Sequence, residues 1–488
     1  MDKNTYKNLF RGVAWSTSMR WVLRAIGFLN VIILARLLTP EAFGIVVMAT
    51  LVIGFTTNFT QMGIQQLIIR EQNVDDDLIN TGWTMLVLQA LLIALLLVVS
   101  SPLMADYFDE ERLPLVIFVL AVALVIESFS NIGITLARKD LEFSIDFKAN
   151  VYRRLSAFFI TLALVIWLRD YWALVLGRLF SAPVAVFFTY RLHPYRPRFC
   201  LSHFRLFLNY SYSIIPLRMA KFLNEKIGAI IVGGVSSAAS LGIYNIAHDL
   251  ASMFTREIAE PLGRGLMPGY AKMVDQPRKL AMTYIRVLAV GSAVVLPVGV
   301  GLCLVAEYMV PLLLGEQWLE AVVYVQYLSI FATLLSLQRM MSTQILIVTG
   351  HEARAAILAW IRLALLFAAC LVAVSIQGPL GVAMVSPAVG FVLLPITVAF
   401  LVKSIDCSLA EVLWALWRPV LSVLVMAFAL YEINAALELS MLPMLLLLVS
   451  AGGLAYGLSM ALTWFLSGRP EGIEYLLERA LRERLASR

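Results

Sequence analysis

Two arginines four residues apart, Arg20 and Arg24, share one face of any helix that carries them, and their like charges repel unless an anion lies between them. A guanidinium forks onto two oxygens at once, so the chemistry such a pair suits is the grip of a phosphate or pyrophosphate. A second concentration of polar side chains follows at Arg218, Lys221, Asn224, Glu225 and Lys226, and a third at Asn245, His248, Asp249, Arg256, Glu257 and Glu260. Asn58, Gln61, Glu127, Arg178, Arg339 and Arg362 stand singly in other apolar stretches. From these, Arg20, Arg24, Arg218, Lys221, Arg256 and Arg339 are taken as a cationic substrate-binding set. Asn58, Gln61, Glu127, Glu225, Asp249 and Glu257 are taken as polar lining or ion-coupling groups. Simpler readings stand beside these. Arginines near span ends snorkel to the interface, Glu225 and Glu257 can hold helices together as salt bridges, and His248 can be a satisfied interior histidine.

These charges are notable because of where they sit. The 488 residues are 61% hydrophobic and only 14% charged, with a mean hydropathy of +0.85, whereas soluble chains carry about 25% charged residues. A bilayer core about 30 Å thick takes about 20 apolar residues per helix. Fourteen windows of that kind can be marked. They are Trp15–Leu37, Phe43–Gly63, Ile79–Ser101, Leu115–Ala137, Val151–Leu168, Tyr171–Leu192 and Tyr210–Val232, then Leu241–Gly263, Tyr284–Val305, Trp318–Val348, Ala355–Ile376, Leu380–Val402, Val412–Tyr431 and Met441–Leu466. The expected fold is all-α and polytopic. An arginine at mid-bilayer costs about 2.5–3.5 kcal/mol on insertion scales, so each in-span charge needs a wet cavity or a partner.

Alternate loops differ in charge. One set holds the N-terminus, Arg138/Lys139/Lys148, Arg191/Arg196/Arg198/Arg205, Lys272/Arg278/Lys279, Lys403 and the arginines of the tail; the other holds Asp106/Asp109/Glu110/Glu111, Glu307/Glu316, Glu432 and Glu438. Positive loops stay inside, which places both termini in the cytoplasm. From Glu471 to Leu485 the apolar residues fall on one face, as in a helix lying on the inner surface. A shift of 198 residues superposes Ile32-Ile33-Leu34 and Phe43-Gly44-Ile45 on Ile230-Ile231-Val232 and Leu241-Gly242-Ile243, and Arg20 on Arg218. Six spans separate the copies, so they point the same way, as in transporters built from parallel repeats; a hairpin turn shared by chance is the alternative.

Several function classes are disfavoured. Cys200, Cys303, Cys370 and Cys407 have no metal-ligand or disulfide spacing, and no P-loop, dinucleotide fingerprint, H-E-x-x-H or G-x-S-x-G occurs. Gly299-x-Gly301 lies within a span and reads as packing. The net charge of +6 is spread over inter-span loops and does not form a nucleic-acid footprint. The basic start runs into an apolar stretch too long, and too rich in arginine, for a cleavable signal.

Four segments in order carry a family resemblance. These are Ala35-Arg-Leu-Leu-Thr-Pro-Glu-Ala-Phe-Gly44, Arg138-Lys-Asp-Leu-Glu-Phe143, Leu266-Met-Pro-Gly-Tyr-Ala-Lys272 and Val310-Pro-Leu-Leu-Leu-Gly-Glu-Gln-Trp318. On these the chain resembles, over nearly its whole length, the polysaccharide transporter family, and within it the Wzx-type flippases of colanic-acid and exopolysaccharide pathways. These belong with lipid II flippases to the multidrug/oligosaccharidyl-lipid/polysaccharide superfamily. The resemblance implies two six-span bundles (residues 1–198 and 199–405) related by a pseudo-twofold axis, two added spans (406–466) and a cytoplasmic tail (467–488). It further implies alternating access for undecaprenyl-pyrophosphate-linked oligosaccharide in the cytoplasmic membrane, a polymerase or export machinery as partner, and no cofactor, with coupling to protons, sodium or the membrane potential left open. Arg20 and Arg24 match the family's cationic cavity by type and place, the later arginines by type only. Two other readings remain: a cation-coupled drug or lipid exporter of the same superfamily, which predicts an acidic, aromatic cavity, and a membrane glycosyltransferase or polymerase on the same lipid, which predicts a sizeable outer loop.

Overall fold

The structure is a computed structural model that describes residues 26–60, 62–72, 74–211 and 215–468. The expectations for Arg20, Arg24 and Gln61 and for the tail helix fall outside these residues. Among the described residues every window from Phe43 onward is largely helical. The chain runs through α1 (Ile26–Leu37), α2 (Pro40–Thr60), α3 (Ile64–Arg70), α4 (Asp76–Phe108), α5 (Leu113–Ser128), α6 (Gly133–Lys139), α7 (Phe143–Leu168) and α8 (Trp172–Leu192). It continues through α9 (Phe204–Ser211), α10 (Ile215–Val235), α11 (Ala238–Ala271), α12 (Pro277–Leu314), α13 (Ala321–Val348), α14 (Glu352–Val402), α15 (Leu409–Ala436) and α16 (Met441–Leu466). Helices suit an apolar solvent, because each satisfies its backbone N–H and C=O groups within its own segment.

Among the described residues nine helices are long and apolar enough to cross a membrane, and ten if one bent pair counts as a span. Helix α14, with 51 residues, would be about 76 Å long at 1.5 Å per residue, more than twice a bilayer core. It is two helices joined at Gln377 and Gly378, where Gly378 has φ 61°. A side chain on Gly381 would meet the carbonyl of Ala373, eight residues back, so the chain reverses there into a hairpin. The break falls between the expected spans Ala355–Ile376 and Leu380–Val402.

The fourth expected span, Leu115–Ala137, is not continuous. Its two pieces, α5 and α6, are bent by 59° around a four-residue break. Asn131, 2% exposed, re-satisfies that break: its side-chain amide donates to the carbonyls of His193 (3.1 Å) and Tyr195 (2.8 Å), its side-chain oxygen accepts from Gly133 N–H (2.9 Å), and its own N–H donates to Thr189 Oγ1 (2.9 Å). The window Trp318–Val348, long enough to be tilted or broken, is a 3-10 turn (Glu316–Trp318) followed by α13. α15 opens on a capping box, with Ser408 Oγ accepting from Glu411 N–H (3.2 Å) and Glu411 accepting from Ser408 N–H (2.9 Å).

The described residues separate into two compact units. One runs to Lys226 and includes Gly233–Gly242; the other holds Ile227–Val232 and everything from Ile243. In the first, Leu34, Leu38 and Ala42 pack on Val165 and Ala173, so α1 and α2 are held by α7 and α8. In the second, Tyr284 is buried on α12 and donates to the carbonyl of Met341 on α13 (3.0 Å). Gly299, read as packing, lets α12 press on Thr333 of α13. Small residues allow this because apolar helices in lipid associate by close contact and not by escape from water.

Candidate functional site

Charge decides which helices are unusual. α10 spans about 31 Å and α11 about 51 Å, both long enough to cross a bilayer, yet neither is among the helices apolar enough to qualify. These two carry the second and third polar concentrations. α10 places Arg218, Lys221 and Glu225 three and four residues apart, hence along one face. Lys221 is exposed, and Arg218, Glu225 and Lys226 are half-buried, while Asn224 is buried and donates to the Ala220 carbonyl (2.8 Å).

What α10 faces within the first unit is set by a glycine. Phe222 sits 2.8 Å from where a side chain on Gly54 would begin, and it meets the Phe55 ring edge-on at 6.4 Å. The polar half of α10 thus lies along the second half of α2, where Asn58 donates to the Gly54 carbonyl (2.8 Å) and Thr56 and Thr60 bond back to their own helix. Beyond α2 the short helix α3 brings Gln66 to Arg218. With its amide turned to satisfy both neighbours, Gln66 donates to the Gly63 carbonyl (3.1 Å) and accepts from Arg218 (2.9 Å). The guanidinium is thereby oriented by a neutral group.

The other candidates are placed as follows. Glu127, near the end of α5, lies 3.6 Å from Arg178 on α8, with both side chains partly exposed, so this acid is engaged by the arginine. In the second unit, Asp249 accepts from Asn245 (3.3 Å) and lies 3.8 Å from His248, whose ring stacks near Tyr244 with centroids 6.3 Å apart. Arg256 donates to Ser252 Oγ one turn back. Arg339 and Arg362 are half-buried on α13 and α14. The side chain of Glu257 is outside the described set. Among the described residues no cluster of three or more His, Cys, Asp or Glu has the arrangement to hold a metal.

Three groups that the sequence reading passed over emerge. Gln66 had no signal of its own, since a glutamine in a short exposed helix is ordinary. Gln338, 4% exposed on α13, donates to the Gly390 carbonyl of α14 (2.7 Å). Arg418, 8% exposed within α15, carries the same signal as the other in-span arginines and belonged among them.

Outside the spans the loop ends are tied by charge. Asp75 caps α4 by accepting from Leu78 N–H (2.8 Å), and that bond holds its carboxyl below the usual range. Arg112 donates to Glu110 (2.6 Å) and Glu41 (2.7 Å) and lies 5.7 Å from the Tyr171 ring. The Arg112 hydrogen bond lowers the Glu110 pKa, and the two carboxylates raise that of Arg112.

This arrangement, an all-helical membrane chain in which two long helices of lower hydropathy carry cations and acids, has counterparts. The family model described as "Polysaccharide biosynthesis protein" matches residues 33–323. The chain belongs to that family. Its similarity extends to named relatives. It is 27% identical over 326 residues to an uncharacterized membrane protein in the cps region of Klebsiella pneumoniae, covering 66% of this chain and 67% of that one. It is 23% identical to the lipopolysaccharide biosynthesis protein WzxC of Escherichia coli (strain K12), covering 67% of each, and 22% identical to the succinoglycan biosynthesis transport protein ExoT of Rhizobium meliloti (strain 1021), covering 64% of each. The fold is that of the lipid II flippase MurJ in an inward closed conformation, with a TM-score of 0.73 over 92% of this chain and 98% of that chain at 13% identity. An inward-facing multidrug resistance MATE transporter matches with a TM-score of 0.57 at 15% identity over 78% of this chain and 96% of its own. This member of the polysaccharide biosynthesis protein family is thus an all-α, multi-pass membrane protein with the fold seen in MurJ, and one of the relatives it resembles, ExoT, is named as a transport protein.

Proposed function

We propose that the protein is a flippase that moves undecaprenyl-pyrophosphate-linked oligosaccharide units from the inner to the outer leaflet of the bacterial cytoplasmic membrane by alternating access, with both termini cytoplasmic, and performs no covalent chemistry. The supporting observation is the α10 face: an exposed Lys221 and a Gln66-oriented Arg218 on a helix of bilayer length. Lipid would not tolerate that face, so it borders water, and its cations suit a diphosphate head group. Arg20, Arg24, Arg256 and Arg339 extend the cationic set in this reading; Asn58, Gln61, Glu225, Asp249 and Glu257 line the path, and Glu127 is the first carboxylate to test for ion coupling.

In operation the guanidinium and ammonium groups replace the hydration of the pyrophosphate, the sugars follow through water, and the polyprenyl tail stays in lipid. An inside-negative potential favours outward movement of each negative charge by about 2.3 kcal/mol per 100 mV, which supplies direction without a resident cofactor. A polymerase or export machinery takes the product on the outer face. The MATE-like alternative is disfavoured by charge: the described side of α10 carries Arg218, Lys221 and Lys226 against Glu225, not an acidic cavity. The test is reconstitution. Liposomes holding the purified protein should expose a labelled polyprenyl-pyrophosphate oligosaccharide to an impermeant quencher at the far leaflet at a rate well above that of protein-free liposomes; equal rates would refute the flippase reading.

A further inference from the structure

The linker between α8 and α9, residues 193–203, is non-helical, yet it does not stand free of the first unit. It runs along α4, which lends it three polar side chains. Asn80 Oδ1 accepts from Arg198 N–H (2.9 Å), Thr84 Oγ1 accepts from Cys200 N–H (3.0 Å), and Thr81 Oγ1 accepts from His203 N–H (3.4 Å). Asn80 Oδ1 also accepts the Tyr195 hydroxyl (3.0 Å). Nearer α8 the carbonyls of His193 and Tyr195 accept from Asn131 and Arg196, and Pro194 and Pro197 have no N–H to satisfy. Water would satisfy such backbone unaided; at membrane depth irregular backbone persists where protein groups supply its partners.

The depth follows from α4. That helix starts at Asp76, and its apolar window begins at Ile79, so Thr84 stands about 12 Å along the axis and about 7.5 Å inside the window at 1.5 Å per residue. The backbone bonded to Thr84 therefore lies where hydrocarbon begins. The chain turns back outward at His203, which is 3.5 Å from Asp75. The two sides of the segment differ accordingly. Tyr195 and Phe207 pack inward on the cluster of Ile64, Ile68 and Trp83, whereas Phe199 (69% exposed), Leu201 (53%), Phe204 and Leu206 face outward. Arg196, Arg198 and Arg205 are exposed beside them, and the chain from Tyr171 to Asn224 contains no Asp or Glu. Arginines interleaved with large apolar side chains, with no acid among them, match a phosphate layer lying over acyl chains.

We propose that the 196–206 segment is a lipid-docking element embedded in the leaflet at the basic-loop end, where Arg196, Arg198 and Arg205 hold the phosphates of anionic phospholipids and the outward apolar side chains lie among the first carbons of the acyl chains. The assignment stands or falls independently of transport. In a chain with Cys200, Cys303, Cys370 and Cys407 replaced by serine, Leu201→Cys carries a bimane fluorophore in liposomes mixed from phosphatidylcholine and phosphatidylglycerol. A nitroxide placed near the head of a phospholipid acyl chain should quench this bimane and aqueous iodide should not, while a bimane on Asp76→Cys should show the reverse. Phe204→Cys repeats the reading if the first variant is unstable. With the nitroxide on phosphatidylglycerol, half-quenching should need roughly threefold less labelled lipid than with it on phosphatidylcholine, and glutamine at all three arginines should make the two lipids equal. A bimane at Leu201→Cys that iodide reaches and the lipid nitroxides do not overturns the embedding. Equal quenching by the two lipids with the arginines intact, or a preference that survives their replacement, overturns the assignment to anionic phospholipid.

Discussion

At the scale of single residues, the prominence of Arg218 could be read before any coordinates, because an arginine several residues inside an apolar window violates the cost of burying charge in lipid. Its partner could not. Gln66 reaches Arg218 only because α2 ends, the chain turns at Gly63 with φ 65°, and α3 starts at Ile64, a geometry with no periodic signature. Charge-assisted hydrogen bonds contribute about 1.5–3 kcal/mol, so Arg218→Ala should slow flipping roughly 10- to 100-fold at unchanged membrane level, measured by the quencher assay. Arg218→Lys should recover part of the rate, since it keeps charge and loses the fork. Gln66→Leu removes a neutral orienting bond and should cost roughly three- to tenfold, with rates at saturating lipid affected less than apparent affinity. Arg20→Ala is expected to abolish export, as the repeat equivalent of Arg218.

At the scale of elements, apolar windows located the helices because each must hide about 20 residues from water. Breaks were less legible. The fourth window is apolar through Ile126 and then carries Glu127, Ser128, Ser130 and Asn131, but polar residues alone do not announce a 59° bend, and nothing marked Asn131 as the residue that holds it together. Its four hydrogen bonds, all to backbone or to Thr189 from a site 2% exposed, make it a fastening for the ends of α5, α6 and α8. Asn131→Ala should lower stability by about 3 kcal/mol, read as a drop in Tm in detergent and reduced membrane yield, because several buried groups lose their partners together. Asn131→Asp keeps the acceptor but turns a second carboxylate oxygen onto the His193 and Tyr195 carbonyls, and should cost at least as much as alanine. The two charged helices α10 and α11, in contrast, were visible as outliers from sequence alone, and the structure keeps them at bilayer length.

At the scale of the whole molecule, the Glu110–Arg112 tie outside the spans gives a pH signature. Glu110 has its pKa lowered below 4.5 by the Arg112 hydrogen bond. A carboxylate with a depressed folded-state pKa adds stability that is present above its unfolded value and lost as pH falls through the folded one. Melting curves from pH 7 to pH 3 should therefore show wild type losing more Tm than Glu110→Gln below about pH 4.5, with the two converging at the acid end. Direction of transport belongs to this scale too. If voltage drives the anionic head group outward, dissipating an inside-negative potential imposed on proteoliposomes should slow net movement while leaving exchange between leaflets intact, and a rate indifferent to voltage would move the search for coupling to Glu127 and Asp249.

The hairpin inside α14 bears on how the chain is made. Because Gly381 packs on the backbone of Ala373, the two helices on either side of Gly378 share one tight reversal with no loop between them. The first of them has no settled resting place until the second has been synthesised, so the pair should leave the translocon together. Nascent chains stalled just past Gly378 should stay extractable by alkali, those stalled beyond Val402 should resist it, and a reporter spliced between Gln377 and Pro379 should wreck biogenesis while one placed in the exposed 437–440 linker is carried without harm.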